Sequence, residues 1–187
     1  MNNSKTKKMV FTAAFMALCC IATYLIVIPI PYGVGYVNFG DVFVLAAAWC
    51  LGGYGVLAGL GCALADILSG YAVYAPATAI IKISMAAIGY YLYIACKKLI
   101  KKESLDFIPR LIAAVVAELF MGVGYFLFEC VFYGVAAALT GIPFNILQGG
   151  CCAVCAVALF AALYYVRPIQ NFFPALTGDK RVKYVQK

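Results

Sequence analysis

The sequence predicts an all-α integral membrane protein with six transmembrane helices in one bundle. Of the 187 residues, 66% are hydrophobic and 11% are charged, whereas a soluble domain has about 25% charged residues. The apolar residues form runs, several of which reach the roughly 20 residues that cross a bilayer, and most basic residues flank those runs. We therefore expect a single membrane domain over 1–187 with no separate soluble catalytic domain.

The apolar runs place the six helices in order along the chain. The first run could be mistaken for a signal peptide, but it is long enough to span and no small-residue cleavage site follows it. The stretch 41–69 could be one long span or two short ones that turn at the glycines of 51–55. The two-span interpretation gives helices at about 9–28, 41–51, 53–69, 77–96, 110–138 and 143–166.

The basic residues decide between one and two spans in 41–69. They cluster in the N-terminal tail, in the connector around 97–110 and after residue 166. Two spans put all three clusters on one side of the membrane, and the positive-inside rule identifies that side as the cytoplasm. We therefore expect both termini in the cytoplasm, with 174–187 as a cytoplasmic tail. The expected outer loops are 29–40, 70–76 and 139–142.

Five ionisable side chains fall within apolar runs, where a charge costs on the order of 3 kcal/mol. They are Asp41, Asp66, Lys82, Glu118 and Glu129. Asp66 precedes the 70–76 loop and Lys82 follows it, so antiparallel helices would place them at similar depth. The two are expected to form a structural ion pair, or Lys82 donates to a bound molecule, and the two interpretations are compatible.

The fifth helix carries a polar stripe. Glu118, Gly122, Tyr125 and Glu129 are spaced by four, three and four residues, which places them on one face that must point inward. Glu129 lies nearer the outer surface and is favoured as a ligand-binding residue. Glu118 is favoured as a structural or coupling residue.

Polar and aromatic side chains also gather near the outer ends of the helices. Asn145 and Gln148 share one face of the last helix, where they either cap the helix or bind a heterocycle through their amides. Tyr71 and Tyr74 lie in a loop with glycine and proline, and their rings offer stacking surfaces. Asn38 follows a similar loop and adds a polar anchor beneath it.

Several chemistries lack their usual residues. The chain has no histidine, and its nine cysteines lie in or at the ends of apolar segments, so we expect no metal, no cofactor and no disulfide framework. Cys152 and Cys155 are interpreted as small packing residues. No nucleotide-binding motif and no nucleophile beside a base is present, which argues against an enzyme. The basic residues flank apolar runs, which argues against a nucleic-acid partner.

Three motifs carry a family resemblance. They are VNFGD at 37–41, GCALADILSGY at 61–71 and YAPATAIIK at 74–82. With them the chain resembles the substrate-binding S component of an energy-coupling factor (ECF) transporter. It is most similar to the riboflavin-type branch, which also includes transporters of hydroxymethylpyrimidine and pyridoxine.

The resemblance implies a six-helix subunit of the plasma membrane that captures a vitamin from outside. It implies partners, namely a transmembrane T component and two cytoplasmic ATPase subunits, and it assigns Ala13 and Ala17 of the first helix to the T-component interface. It also implies a ligand near the outer surface, enclosed by the first outer loop, the loop between helices three and four, and the outer ends of helices four to six.

The predicted substrate-binding residues are polar or aromatic side chains of the apolar segments and outer loops that also fall in the region where the resemblance implies a ligand. They are Asn38, Asp66, Tyr71, Tyr74, Lys82, Tyr125, Glu129, Asn145 and Gln148. This set suits a small nitrogen heterocycle such as hydroxymethylpyrimidine or pyridoxine, whereas riboflavin needs a roomier apolar site. Two alternatives stay open: a self-sufficient proton-coupled transporter that uses Asp66, Glu118 and Glu129 as proton carriers, and a membrane scaffold or thiol enzyme that uses Cys152 and Cys155.

Overall fold

The computed structural model describes residues 3–30, 35–100 and 105–165. This part of the chain is helical except for two short strands that pair with each other. The helices are α1 Asn3–Leu25, α2 Gly40–Leu51, a 3₁₀ segment Gly52–Gly59, α3 Leu60–Leu68, α4 Ala75–Leu99, α5 Phe107–Tyr133 and α6 Val135–Tyr165. The strands are β1 Ile28–Pro29 and β2 Tyr36–Val37.

Within the described residues, five segments are long and apolar enough to cross a membrane, judged by length and composition. They are Lys5–Leu25, Gly40–Leu68, Ala75–Leu99, Phe107–Tyr133 and Val135–Leu163. Many large apolar side chains lie on the outside of the bundle, with Val131 81% and Leu119 60% exposed. Such a surface is stable in lipid and unfavourable in water.

The stretch Gly40–Leu68 runs along the bundle and then returns. Thr12 near the start of α1 donates to the carbonyl of Tyr54, whereas Thr23 near the end of α1 lies against Cys62. A Cβ built on Gly55 would overlap the carbonyl oxygen of Ala47, so the 3₁₀ segment packs directly against α2. The chain therefore reverses at Gly52, whose φ of +63° is accessible to glycine. By length this stretch is one candidate membrane span, but its contacts show that it consists of two antiparallel helical segments.

The first of those two segments, α2, is a buried central helix. Its 12 residues extend about 18 Å at 1.5 Å per residue, and Val44 to Ala48 are fully buried. Trp49 donates from its indole nitrogen to the carbonyl of Gly89 on α4 at 3.1 Å, and its ring meets Phe160 of α6 edge-on. Because neighbouring helices surround α2, it has no need of the length that a lipid-facing span requires.

The first helix and the first outer loop differ from the expected boundaries. Helix α1 ends at Leu25, not at 28, and Ile28–Pro29 pairs antiparallel with Tyr36–Val37. The residue before a proline disfavours helical dihedrals, so Pro29 ends the helical run early. The expected loop 29–40 therefore contains a small β-hairpin, which brings β2 onto the end of the bundle.

The expected outer loop at 139–142 is wrong. The chain reverses at Gly134, with φ of +83°, and α6 begins immediately afterwards at Val135. Pro143 lies inside α6, because neighbouring helices in a membrane bundle compensate for the backbone hydrogen bond that proline removes. The two helices α5 and α6 thus form a tight hairpin without a loop.

The two ends of the bundle differ in charge. The β-hairpin, the start of α4 and the Gly134 turn meet at one end, here called the hairpin end. The opposite, basic end carries Lys97 in the last turn of α4. There Lys97 and Arg110 both bind the Asp106 carboxylate, and the Arg110 guanidinium stacks on Phe160 at 3.8 Å. This cluster ties α4, α5 and α6 together at the basic end.

Candidate functional site

A small polar cavity lies at the hairpin end. It has a volume of about 20 Å³, room for about one water molecule. Four helices and the strand β2 contribute to its wall. The lining residues are Ile30, Gly35, Tyr36, Asn38, Asp66, Tyr74, Thr78, Tyr125, Glu129, Asn145 and Gln148.

The structure brings together most of the residues that the sequence selected. Seven of the nine predicted binding residues line the polar cavity: Asn38, Asp66, Tyr74, Tyr125, Glu129, Asn145 and Gln148. Tyr71 stands behind the wall, with its ring 4.6 Å from that of Tyr36. Lys82 lies below the cavity and does not line it. The binding role of all nine stays a prediction.

Beneath the cavity lies a fully buried ion pair between Lys82 and Asp41. The Gln148 amide nitrogen donates to the second Asp41 oxygen at 2.7 Å, and the backbone N–H of Asn38 donates to the Gln148 carbonyl oxygen at 2.9 Å. Helices α2, α4 and α6 are thereby joined by one chain of hydrogen bonds, here called the Asp41 network (Asn38, Asp41, Lys82 and Gln148). Breaking such a pair leaves an uncompensated buried charge.

The expected ion pair between Asp66 and Lys82 is not formed. Helix α2 packs against both α4 and α6, and this places the first-turn carboxylate of Asp41 beside Lys82. Asp66 instead accepts a hydrogen bond from the Tyr36 hydroxyl. The prediction considered only helices joined by a loop, whereas the partner of Lys82 comes from a helix one step further away in the chain.

Tyr36 is a site residue that the sequence reasoning did not select. Burial, and then the neighbouring Asp66 carboxylate, raise the pKa of the Tyr36 phenol, so this hydroxyl stays protonated and donates. A usable signal was present, because Tyr36 and Asn38 are two residues apart across a strand and therefore face the same side. Thr78 was missed as well; it accepts a hydrogen bond from Tyr125 at 3.1 Å.

Glu129 is held between two glycines. A Cβ on Gly141 would lie 2.9 Å from one Glu129 carboxylate oxygen, and a Cβ on Gly35 would lie 3.4 Å from the other. Gly35 has a φ of +72°, so both the space and the backbone disfavour a side chain there. The carboxylate is buried, with 2% of Glu129 exposed, and one of its oxygens accepts no hydrogen bond within the described residues.

Aromatic rings surround Tyr74 on the same side of the cavity. Tyr133 stacks on it at 5.9 Å, and Phe128 packs at 5.0 Å. Tyr71 and Tyr125 approach at 6.2 Å and 6.5 Å. Their packing positions the Tyr74 ring at the cavity, and we call this group the aromatic wall: Tyr71, Tyr74, Tyr125, Phe128 and Tyr133.

The family was identified by comparison with known proteins. The family model described as "ECF-type riboflavin transporter, S component" matches residues 3–165. The chain belongs to this family of S components. It is therefore a multi-pass membrane protein and the vitamin-binding subunit of a transporter, and it is not an enzyme. S components of this type work with a T component and ATPases.

Individual relatives agree with that assignment. A protein of Pyrococcus woesei, described as an "uncharacterized protein in gap 3'region", is 30% identical over 149 residues, which cover 78% of this S component and 91% of the relative. A solved S component of a bacterial ECF transporter superposes with a TM-score of 0.63 at 20% identity, covering 85% of this chain and 96% of the other. The S component for biotin from an ECF-type ABC transporter gives 0.55 at 16% identity, covering 85% and 93%. The two structures show the shared fold.

A larger, mainly apolar cavity of about 400 Å³ lies between α5 and α6 of the S component. Exposed side chains such as Leu119 and Val123 form its rim, so it opens on the side of the bundle. Glu118 lies in its wall, and both oxygens of that carboxylate lack a hydrogen bond within the described residues. The predicted inward stripe of α5 is therefore divided, because Tyr125 and Glu129 face the polar cavity whereas Glu118 and Gly122 face this groove.

Glu118 also lies near two other potential metal ligands. One oxygen each of Asp41 and Glu118 and the Cys152 sulfur lie within 4.8 Å of one another. The Lys82 ammonium already occupies Asp41, so a metal ion would have to compete with a fixed positive charge. All nine cysteines are free; Cys152 is buried and Cys155 is exposed. We assign no metal or thiol chemistry to this group.

The predicted partner residues lie on the outer face of α1. Ala13 and Ala17 are exposed, one turn apart, and Leu18 and Ile21 extend the same apolar surface. This arrangement is compatible with a helix packing closely against α1. The assignment of this face to a T component stays a prediction.

Proposed function

We propose that this S component captures a small heterocyclic vitamin or vitamin precursor in the polar cavity. The candidates are hydroxymethylpyrimidine, pyridoxine and riboflavin. The protein binds its ligand at the extracellular side of the plasma membrane and delivers it together with a T component and two cytoplasmic ATPase subunits. Within that class, the site residues named above provide the contacts.

One observation carries the proposal: buried polar atoms that have no hydrogen-bond partner among the described residues converge on the polar cavity. They are one carboxylate oxygen each of Asp66 and Glu129, the Tyr74 hydroxyl and the Asn145 amide nitrogen. An unpaired buried polar group costs about 1–3 kcal/mol, and native proteins contain few of them. Four around one cavity are expected where a ligand supplies the missing hydrogen bonds.

The proposed orientation follows from the charges at the two ends. Lys97, Lys98 and Arg110 mark the basic end, and the positive-inside rule assigns that end to the cytoplasm. The polar cavity then lies near the extracellular surface. The Gly40–Leu68 stretch runs from the hairpin end towards the basic end and back again, so it counts as two crossings. The chain then crosses the bundle six times, and both termini lie on the cytoplasmic side.

Binding requires the cavity to widen. A volume of about 20 Å³ is far below the roughly 300 Å³ or more of ordinary ligand sites. The α5–α6 hairpin turns at one residue and holds Glu129 and Asn145 in fixed proximity. The other wall, with Tyr36 and Tyr74, belongs to the β-hairpin and to the residue that precedes α4, and we propose that this wall moves to admit the ligand.

Direct binding to the purified protein tests the proposal. Isothermal titration with hydroxymethylpyrimidine, pyridoxine and riboflavin, together with native mass spectrometry for a co-purified ligand, is expected to find submicromolar binding of one of them. Glu129→Gln should weaken that binding, whereas Glu118→Gln, a matched change outside the cavity, should not. No binding by any of the three and no co-purified ligand would refute the proposal.

Uptake measurements test the need for partners. In proteoliposomes, the S component alone is expected to give no concentrative uptake, and addition of the T component and ATPases with ATP is expected to restore it. Uptake by the S component alone, driven by a proton gradient, would instead support a self-sufficient transporter.

The α1 surface is tested separately. Replacing Ala13 and Ala17 with tryptophan should prevent co-purification of the T component and leave ligand binding unchanged, because bulky side chains block close helix approach. Ala95→Trp, at an exposed position of α4, is the matched control. Assembly that survives the paired substitution would remove α1 from the interface.

A further inference from the structure

The polar cavity carries acidic groups without a balancing base. Among its described lining residues, Asp66 and Glu129 are acidic and none is lysine or arginine. Lys82 is the nearest buried cation, but it is 0% exposed and binds Asp41. The expectation that Lys82 offers a positive charge to the ligand is therefore not supported by its position.

The Gln148 amide and the Asn38 amide oxygen, both in the cavity wall, already have partners. Both polar atoms of the Gln148 amide are used, one by Asp41 and one by the backbone of Asn38. The side-chain amide oxygen of Asn38 accepts from the backbone N–H of Gly40 at 3.0 Å. Within the described residues, the acceptors that remain unpaired at the cavity are one carboxylate oxygen each of Asp66 and Glu129, and the unpaired donors are the Asn145 amide nitrogen and the Tyr74 hydroxyl.

The aromatic wall strengthens this preference. The faces of aromatic rings are electron-rich and attract cations within about 6 Å. The Lys82 ammonium already lies 5.2 Å from the Tyr125 ring centroid, and Tyr74 presents a further ring at the cavity. Carboxylates together with ring faces form a site that favours positive charge and hydrogen-bond donors.

We infer that the polar cavity selects nitrogen heterocycles that are uncharged or cationic and that present hydrogen-bond donors, and that it rejects ligands bearing a carboxylate or a phosphate. Glu129 and Asp66 are the residues that determine this selection. The inference rests on the proposed function and narrows its substrate class. An anionic ligand would bring its oxygens against the unpaired carboxyl oxygens of Asp66 and Glu129, with no lysine or arginine among the described lining residues to offset its charge. Unfavourable contacts of this kind cost several kcal/mol.

Matched ligand pairs test the inference. Hydroxymethylpyrimidine and pyridoxine are each compared with the analogue in which a hydroxymethyl group is oxidised to a carboxylate, which changes the charge at nearly constant size. Isothermal titration on the purified full chain should give at least about 100-fold weaker binding for the carboxylate in the pair whose neutral member binds. A carboxylate that binds as tightly as its neutral partner would overturn the inference but leave the proposed function standing.

Isosteric variants separate charge from shape. Glu129→Gln and Asp66→Asn remove the charge and keep the size, so each should reduce the discrimination within the pair by about tenfold. Glu118→Gln should leave it unchanged, and thermal unfolding would verify that all three variants are folded. Unchanged discrimination in both site variants would overturn the role of these carboxylates. If only riboflavin binds, riboflavin and its phosphate ester form the matched pair, and equal binding of the two overturns the inference. If none of the three candidates binds and no vitamin co-purifies, the inference and the proposed function both fail.

Discussion

The polar cavity and the Asp41 network lie directly one above the other, yet they treat buried polar groups in opposite ways. In the network, both oxygens of Asp41 and both amide atoms of Gln148 have partners. In the cavity, Asp66, Glu129 and Asn145 each keep an unpaired atom. Buried polar groups that have hydrogen-bond partners hold the helices together, whereas buried polar groups without partners can form hydrogen bonds with a ligand. The comparison separates residues with a structural role from the predicted binding residues more clearly than residue type does.

The largest expected effect comes from breaking the network. Lys82→Met leaves Asp41 buried without a counter-charge and should destabilise the protein by about 3–5 kcal/mol. Thermal or denaturant unfolding in detergent measures the loss. The double variant Lys82→Met with Asp41→Leu should recover most of it, because both charges are then removed; a double variant that is less stable than Lys82→Met would contradict this account.

A smaller effect on affinity, without loss of stability, is expected in the cavity. Glu129→Gln should weaken binding of the neutral ligand by about 10–100-fold, since a hydrogen bond to a charged group is worth about 1.5–3 kcal/mol. Titration measures the affinity, and the unfolding midpoint should stay equal to wild type or rise. If Glu129→Gln instead unfolds the protein at lower temperature with unchanged affinity, Glu129 belongs with the structural residues.

Tyr36→Phe tests whether Asp66 belongs to the polar cavity or has a structural role like that of the Asp41 network. It removes the hydroxyl that donates to Asp66 and should cost about 1 kcal/mol in stability. Because the Asp66 oxygen that accepted from Tyr36 is then free to accept from a ligand, the preference for donor-bearing ligands over carboxylates should increase. Paired titrations of the neutral and anionic analogues measure this preference, and a decrease would contradict the assignment of Asp66 to the site.

The smallest effect is expected at the basic end. Asp106 also accepts from two cations, as Lys97 and Arg110 both bind it. The Lys97 side chain is 34% exposed and that of Asp106 21%, so water replaces much of the lost interaction there. The Arg110 side chain is 6% exposed, but it keeps its contacts with the Tyr93 hydroxyl and the Phe160 ring. Asp106→Asn should cost less than about 1 kcal/mol, measured by the same unfolding experiment. If Asp106→Asn lost as much stability as Lys82→Met, solvent exposure would not explain the difference between the two ion pairs.

The sequence predicted much of the fold and the composition of the site, but not its pairing. Glu129, Asp66 and Asn145 could be predicted from the sequence, because exposing a polar side chain to lipid is unfavourable and such a side chain in an apolar helix therefore points inward. The partner of Lys82 could not be found this way, since Asp41 reaches it through the packing of α2 between α4 and α6. Gln148 and Asn38 are likewise joined across 110 residues by tertiary packing.

Two local errors have a local cause. The stretch 139–142, just before Pro143, was predicted as a loop, although a single glycine at 134 completes the reversal. Turn-forming residues mark loops in water, whereas in a bundle surrounded by lipid they are tolerated inside helices. Tyr36 was missed because it was considered one of many loop tyrosines, and its depth depends on the β-hairpin that the sequence did not predict.

The one-residue connection at Gly134 constrains how cargo is exchanged. Under the proposed function, the short connection holds α5 and α6 together at that corner, so the nutrient is expected to leave past the opposite wall with Tyr36 and Tyr74. Its residence time is then expected to depend on how often that wall moves. Lengthening the Gly134 corner with extra glycines would loosen the fixed side, and the resulting protein would lose its cargo faster without any change in the groups that touch it.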